Sequence, residues 1–258
     1  MTTKLARIDP ADTEGFGCKQ DVAAELANLQ ARIGNLHTRL RAEQSRALLV
    51  ILQGMDASGK DGAVRTLFGA FDPNAAHAWS FKAPTADELT HDFLWRCHAR
   101  VPTHGEIAVF NRSHYEDVVT ARVRGLVPEA EWRPRFAAIN AFERTLVESG
   151  TAVVKLFLHI SRDEQKRRLE RRLETPGKQW KFDPGDLKER ARWNDYMAAY
   201  DEAIERCSPV QAPWQIVPAD RKWYRDLVIA RALAGALAAI DPRYPDRSEA
   251  LAGITVDA

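Results

Sequence analysis

Apolar residues along the chain fall into a few short runs separated by amphipathic stretches, and that alternation sets the expected fold. Residues 1–20 carry Asp, Thr, Gly and Pro without periodicity and read as an arm. From Asp21 the period turns helical: Val22, Leu26, Leu29, Ile33, Leu36 and Leu40 recur at threes and fours on one face. ALLVILQG (47–54) reads as a strand buried on both sides and stopped by glycine, as a parallel sheet requires. IAVF (107–110), AVVKLFLHI (152–160) and WQIVPA (214–219) repeat the pattern, and HAWSFKA (77–83) is a weaker fifth run. The last strand leads into a helix carrying Leu227, Val228, Ala230, Leu233 and Leu237. Strands alternating with long helical stretches predict βαβ units, hence an α/β fold with a parallel sheet covered on both faces. Ligands bind such sheets at the carboxyl ends of the strands. The stretch after Ile240 reads as an irregular, peripheral tail.

The chemistry-bearing residues cluster at those strand ends. GMDASGKDG (54–62) follows the first strand, and Gly54, Gly59 and Lys60 have the G-x-x-x-x-G-K spacing of a phosphate-binding loop. Its glycines let backbone N–H groups converge on phosphate oxygens at the positive end of the next helix. Lys60 adds a cation that follows phosphate charge. Asp61 stands where Ser or Thr would offer a hydroxyl to Mg2+, and Asp56 puts a second carboxylate inside the loop. A carboxylate among phosphates repels them unless a divalent metal or a proton-accepting role compensates. The competing reading is a glycine-rich turn capping an ordinary helix; a strand before and a helix after favour the phosphate loop.

FNRSHYED (110–117) ends the IAVF strand, where nucleotide kinases place a second metal-site residue. Asn111 takes that position and brings no charge. Arg112 can clamp phosphate in a two-pronged contact. Glu116 and Asp117, a turn further on, could restore the missing negative charge. Acids favoured in the first turn of a helix, and a surface salt bridge for Arg112, are the plainer alternatives.

The third cluster is SRDEQKRRLERRLETPGKQWKF (161–182). Leu169 and Leu173 mark its expected inner face. Arg168 and Arg172 are four apart, as are Arg167 and Arg171, so each pair shares a side of the helix. Such pairs call for an anion between them, or for compensation by Asp163, Glu164, Glu170 and Glu174, in which case the helix is a solvated, salt-bridged surface. Its place after a core strand is where small kinases carry a lid over the phosphates. Lys178 and Lys181 extend the positive stripe, and Trp180, Trp193, Tyr196 and Tyr200 are expected to pack a helical hairpin.

Composition narrows the function further. Of 258 residues 45% are hydrophobic, enough for a sizeable core. Lys plus Arg is 37 against 36 Asp plus Glu, a balance that argues against a nucleic-acid coat or a polybasic membrane binder while allowing a local basic channel. Three distant cysteines (Cys18, Cys97, Cys207) form neither a disulfide framework nor a metal pair, which points to a reducing, cytoplasmic setting, with Cys97 in a helix core. The N-terminus has no apolar stretch of signal-peptide kind, and no apolar run approaches a membrane span. None of the seven histidines has a metal-binding context, and Ser58 and Ser113 lack an acyl-transfer setting. The residues alone reach a phosphate-loop phosphotransferase acting on a nucleotide.

GMDASGKDG, FKAPTADELTHDFLWR, FNRSHYEDV, the QKRRLERR–PGKQWKF segment and APWQIVPADRKWYR occur here in the same order as in polyphosphate kinases of the second type. The chain resembles that family over residues 20–240. The resemblance implies a thymidylate-kinase-like, three-layer αβα phosphate-loop kinase domain (46–240) with a helical lid at about 161–200. An N-terminal arm and helix (1–45) would precede it, and a tail (241–258) would follow. It implies transfer of phosphate from inorganic polyphosphate to nucleotides with Mg2+ or Mn2+, and assembly as a dimer or tetramer. GMDASGKDG together with FNRSHYED is similar to the subgroup that accepts both AMP and ADP; GMP and GDP are further expected acceptors. Carried over by motif, the catalytic set is Asp56, Lys60, Arg112, Arg168 and Arg172. Gly54, Ala57, Ser58, Gly59, Asp61, Gly62, Lys82, Asn111, Lys178 and Lys181 would bind substrate, and Asp56, Glu116 and Asp117 the metal. The competing functions are an ATP-dependent nucleoside monophosphate kinase of the same fold, a nucleotide-sensing module and, least favoured, a nucleic-acid binder.

Overall fold

The computed structural model describes residues 5–256; the first four residues of the expected arm and the last two of the tail lie outside the described residues. In chain order it contains α1 (Lys19–Glu43), β1 (Ala47–Gln53), α2 (Lys60–Phe68), β2 (Ala76–Ser80), α3 (Trp95–His98), β3 (Ile107–Asn111), α4 (Thr120–Arg124) and α5 (Glu129–Glu148). These are followed by β4 (Thr151–His159), α6 (Arg162–Glu174), α7 (Gly185–Ala191), α8 (Trp193–Arg206), β5 (Trp214–Pro218), α9 (Lys222–Ile240) and α10 (Ser248–Leu251). Among the described residues the strands form one parallel sheet in the order β2-β3-β1-β4-β5. The weak run at 77–83 is therefore an edge strand.

β1 lies at the centre, and all seven of its residues are buried. Its side chains alternate between the faces: Leu48, Val50 and Leu52 join α1, α2 and α9 on one, while Leu49 and Ile51 join α5 and α8 on the other. Burying each such side chain contributes about 1.5–3 kcal/mol, which is why an unbroken apolar run belongs in this position. The result is a three-layer αβα arrangement. No helix among the described residues is long and apolar enough to cross a membrane.

The N-terminal segment is fastened to this body. Leu5 is buried and its N–H donates to Asp201 (3.0 Å), and the Asp220 N–H donates to the Pro10 carbonyl (3.0 Å). Helix α1 starts two residues before Asp21 because that carboxylate accepts from the N–H groups of Gly17 and Cys18. Its apolar face packs along α9.

Two expectations for the lid are corrected. Leu169 is buried, but Leu173 is 48% exposed, because α6 runs out past the body at its far end. Trp180 is 77% exposed, whereas Tyr196 and Tyr200 sit in the core with Trp193 packed against it. The segment 161–200 thus combines a projecting part, α6 and α7, with the first half of α8, which belongs to the central body.

Candidate active site

Strand register brings the first two clusters together. Leu52 of β1 pairs with Asn111 of β3, so the phosphate loop and the FNRSHYED turn leave the sheet side by side. The Arg112 N–H donates to Leu52 O at 3.0 Å. Arg112 (φ 64°) and Ala57 (φ 61°) both take left-handed conformations. Non-glycine residues hold that region at a cost of about 1–3 kcal/mol each, and do so mainly at functional sites. Gly59 (φ 104°) has a further reason to lack a side chain: a Cβ there would lie 2.1 Å from Nη1 of Arg225.

Lys60 opens α2 and turns back into the loop, donating to Gly54 O (2.6 Å) and Met55 O (3.2 Å). Burial, with Arg112 adding to it, pushes its pKa down to about 8. Arg112 approaches Asp56 (2.5 Å) and Glu116 (3.7 Å). Burial opposes its charge, but Glu116 and Asp56 outweigh burial and hold the guanidinium charged. Glu116 also accepts from the Thr120 hydroxyl at 2.6 Å. Gly54, Asp56, Arg112 and Glu116 line one cleft, whose far wall is Arg124, Glu189, Tyr196 and Tyr200.

Asn111 donates to Asp61 (2.8 Å), and Lys181 from the lid lies 3.6 Å from the same carboxylate. Burial raises the pKa of Asp61, but Asn111 and Lys181 outweigh it and leave it lowered. Asp61 and Asn111, standing where the hydroxyl and the acid of a phosphate-loop metal site are expected, are thus hydrogen-bonded neighbours.

Asp117 does not join Glu116. It faces Arg135 (3.5 Å) and Arg96 (3.9 Å), lies outside the cleft, and burial raises its pKa to about 6. The one-residue step in a tight helical turn aims the two acids apart, and the structure gives Asp117 a fold-anchoring contact. Lys82 is exposed, its backbone carbonyl holds Arg96 (2.8 Å), and it too lies outside the cleft.

Arg168 and Arg172 differ in kind. All five Arg168 N–H groups are directed at protein: Nε at Glu164 (2.8 Å), Nη1 at Ala57 O (3.0 Å) and Ser58 O (2.8 Å), Nη2 at Ala219 O (2.6 Å) and Asp220 O (3.0 Å). It is buried and therefore does not share an open face with Arg172. Arg172 holds Asp186 of α7 (2.8 Å) and Lys181 O (3.2 Å). Burial, with Asp56 the next contributor, raises the pKa of Asp186 to about 6. Lys178 is exposed. It belongs to a positive field with Arg168, Arg171 and Arg225 that, after burial, lowers the pKa of Lys222.

Lys222 and Arg225 escaped the sequence reading although their segment, RKWYR, was singled out; basic residues in the first turn of a largely apolar helix were the available signal. Also missed was Lys155, which interrupts the β4 run. It is fully buried and donates to Glu143 (2.5 Å), Cys207 O (2.8 Å) and the Tyr115 hydroxyl (3.1 Å). A buried ammonium persists only with such complete pairing. His114 and Tyr115 both contact Glu143 (3.3 and 2.8 Å), which fixes the turn carrying Arg112 and Glu116.

Among the described residues no group of three or more His, Cys, Asp or Glu side chains is placed to hold a metal by itself. Asp56 and Glu116, two hard oxygen donors converging on one guanidinium, do fit Mg2+ or Mn2+. Mg2+ commonly takes one or two protein carboxylates and completes its shell with phosphate oxygens and water.

A parallel sheet with a phosphate loop after the central strand, an arginine turn beside it and a helical lid defines a phosphate-loop phosphotransferase. The chain belongs to the Polyphosphate kinase 2 (PPK2) family, whose sequence model matches residues 17–245. It is 44% identical, over 98% of its length and 96% of the relative's, to an AMP/ADP-polyphosphate phosphotransferase of Meiothermus ruber. It is 38% identical to an ADP-polyphosphate phosphotransferase of Rhodopseudomonas palustris, over 93% of this chain and 88% of that one. The crystal structure of a polyphosphate kinase 2 from Arthrobacter aurescens TC1 superposes with a TM-score of 0.92 at 46% identity, covering 98% of this chain and 89% of that chain.

Proposed function

We propose that the protein moves a phosphoryl group from inorganic polyphosphate to AMP and to ADP, giving ADP and ATP, with GMP and GDP as further acceptors. The observation that carries this is the cleft at the joined ends of β1 and β3 lined by Arg112, Asp56 and Glu116, with the Lys60 ammonium held against its Gly54 and Met55 carbonyls and within electrostatic reach of all three side chains. Its similarity to an AMP/ADP-polyphosphate phosphotransferase supports the choice of donor and acceptors.

The loop N–H groups and Lys60 would hold donor phosphates, and Lys60, leaving its loop carbonyls, would follow charge to the bridging oxygen. Arg112 would orient the transferring group against the acceptor phosphate, with Asp56 and Glu116 fixing its plane. Asp56 and Glu116 would hold Mg2+ or Mn2+, which supplies charge neutralisation on phosphate oxygens. Arg172, Lys178 and Lys181 would follow the polyphosphate chain beyond the transferring unit. Cytoplasmic location is part of the proposal, supported by three unpaired thiols, as is a dimeric or tetrameric state, supported by the family resemblance. An assay series with AMP, ADP, GMP and GDP, each with polyphosphate and Mg2+, tests the reading; ATP formed from AMP supports it, and transfer to none of the four overturns it.

A further inference from the structure

Four successive carbonyls of the phosphate loop accept hydrogen bonds from side chains on its outer side. Asp56 O accepts from Gln165 Nε2 (3.0 Å), Ala57 O and Ser58 O accept from Arg168 Nη1 (3.0 and 2.8 Å), and Gly59 O accepts from Arg225 Nη1 (3.0 Å). In a trans peptide the carbonyl of one residue and the N–H of the next point in opposite directions. Fixing these carbonyls outward therefore fixes the N–H groups of residues 57–60 inward. The Ser58 N–H closes a turn on Met55 O (3.1 Å), which leaves those of Ala57, Gly59 and Lys60 for the concave side.

The three side chains are held in place by the surrounding body. Gln165, Arg168 and Arg225 are all buried. Gln165 is itself oriented by Arg190, which donates to its Oε1 at 3.1 Å. Arg168 has no N–H left over, and Arg225 is gripped by Asp226 (2.5 Å). Ala57 and Gly59 hold positive φ between these anchors, and the Cβ missing from Gly59 is what lets Arg225 come so close.

We propose that Gln165, Arg168 and Arg225 are positioning residues that set the peptide planes of the phosphate loop from behind. The first two turns of α6 are then a fixed strut of the loop, and the lid moves only beyond Arg168. The inference rests on reading residues 54–62 as a phosphate loop, and it replaces direct phosphate contact as the role of Arg168.

Gln165→Met keeps the packing and removes the donor; Arg225→Lys keeps the charge and removes the planar fork. Calorimetric binding of inorganic tripolyphosphate, melting temperature, and the KM for AMP are measured for both variants beside the unaltered protein. The expected result is tripolyphosphate affinity about tenfold weaker, the order of one lost hydrogen bond in the oriented set. The KM for AMP should be unchanged, and the weaker tripolyphosphate affinity should persist at every temperature where the variant is folded. Wild-type affinity in both variants, or a loss of affinity that disappears well below the melting temperature, overturns the inference. If the unaltered protein itself fails to bind tripolyphosphate, the phosphate-loop reading falls first and the inference with it.

Discussion

The Arg112 guanidinium reaches across from the end of β3 to the Asp56 carboxylate in the phosphate loop, 2.5 Å away. The pair joins the two sequence clusters and leaves both groups partly open to the cleft, so it serves the site more than the fold. Partly exposed pairs contribute about 0–1 kcal/mol to stability. Asp56→Asn is therefore expected to melt within a few degrees of the unaltered protein. Its turnover should fall about 10²–10³-fold, the usual cost of one preorganised charge at a transferring phosphoryl group. Thermal melting and turnover on the same preparation check it; unfolding in step with lost activity would make Asp56 structural.

Lys60 ties activity to pH. Its pKa is pushed down to about 8 by burial, against an ordinary value of 10.5. Between these two values the unfolded chain binds the extra proton, so this group makes the ligand-free protein more stable as pH rises through that window. Activity moves the other way, because the ammonium is lost. We expect kcat/KM for polyphosphate to decline above about pH 8, where the same free-enzyme group titrates. Below that pH Lys60→Ala should lose about 10²–10³ in rate, and its own profile should show no such limb, so that the difference between the two proteins narrows as pH rises. A pH–rate profile flat to pH 10 would contradict this.

Asp186 occupies the guanidinium of Arg172 at 2.8 Å, and a polyanion must compete for it. Asp186→Asn should lower the apparent KM for polyphosphate about two- to fivefold, in line with the worth of such a pair. Arg172→Ala should raise it and flatten its salt dependence by nearly one charge. Because burial raises the Asp186 pKa to about 6, the unaltered protein should also bind polyphosphate more tightly below that pH, and the Asn variant should not. Apparent KM at several pH values and salt concentrations reads all three effects; identical values for the three proteins would return the arm of the lid to a solvated surface.

Gly59→Ala is expected to lower both stability and turnover. Its φ of 104° and the 2.1 Å approach to Arg225 leave no room for a methyl group. The backbone strain alone costs about 1–3 kcal/mol. Melting and turnover equal to the unaltered protein would show that the loop relaxes freely.

The sheet was legible because β1, β3, β4 and β5 are largely apolar runs ended by glycine or a polar cluster, and an unbroken run such as β1 fits a strand buried on both faces; the partly exposed edge strand β2 left only a weak signal. The loop and the arginine turn were legible because spacing alone brings Gly54, Gly59, Lys60 and Arg112 to strand ends. What spacing could not show is direction. Glu116 and Asp117 are neighbours in sequence, yet only Glu116 enters the cleft, because Arg96 and Arg135 hold the other. Arg168 and Arg172 share a helical side, yet the body buries the first and ends before the second. Lys155 interrupts an apolar strand, and its partner Glu143 comes from a helix that no local pattern links to it.

The account stands most directly on the choice of donor. Purified protein with AMP and Mg2+ is given inorganic polyphosphate in one reaction and ATP in another, and nucleotides are separated at short times. The account predicts ADP, then ATP, from polyphosphate, at rates that Asp56→Asn and Lys60→Ala each lower by about 10²–10³-fold. Phosphorylation of AMP by ATP with none from polyphosphate would contradict it and make the protein an ordinary nucleoside monophosphate kinase.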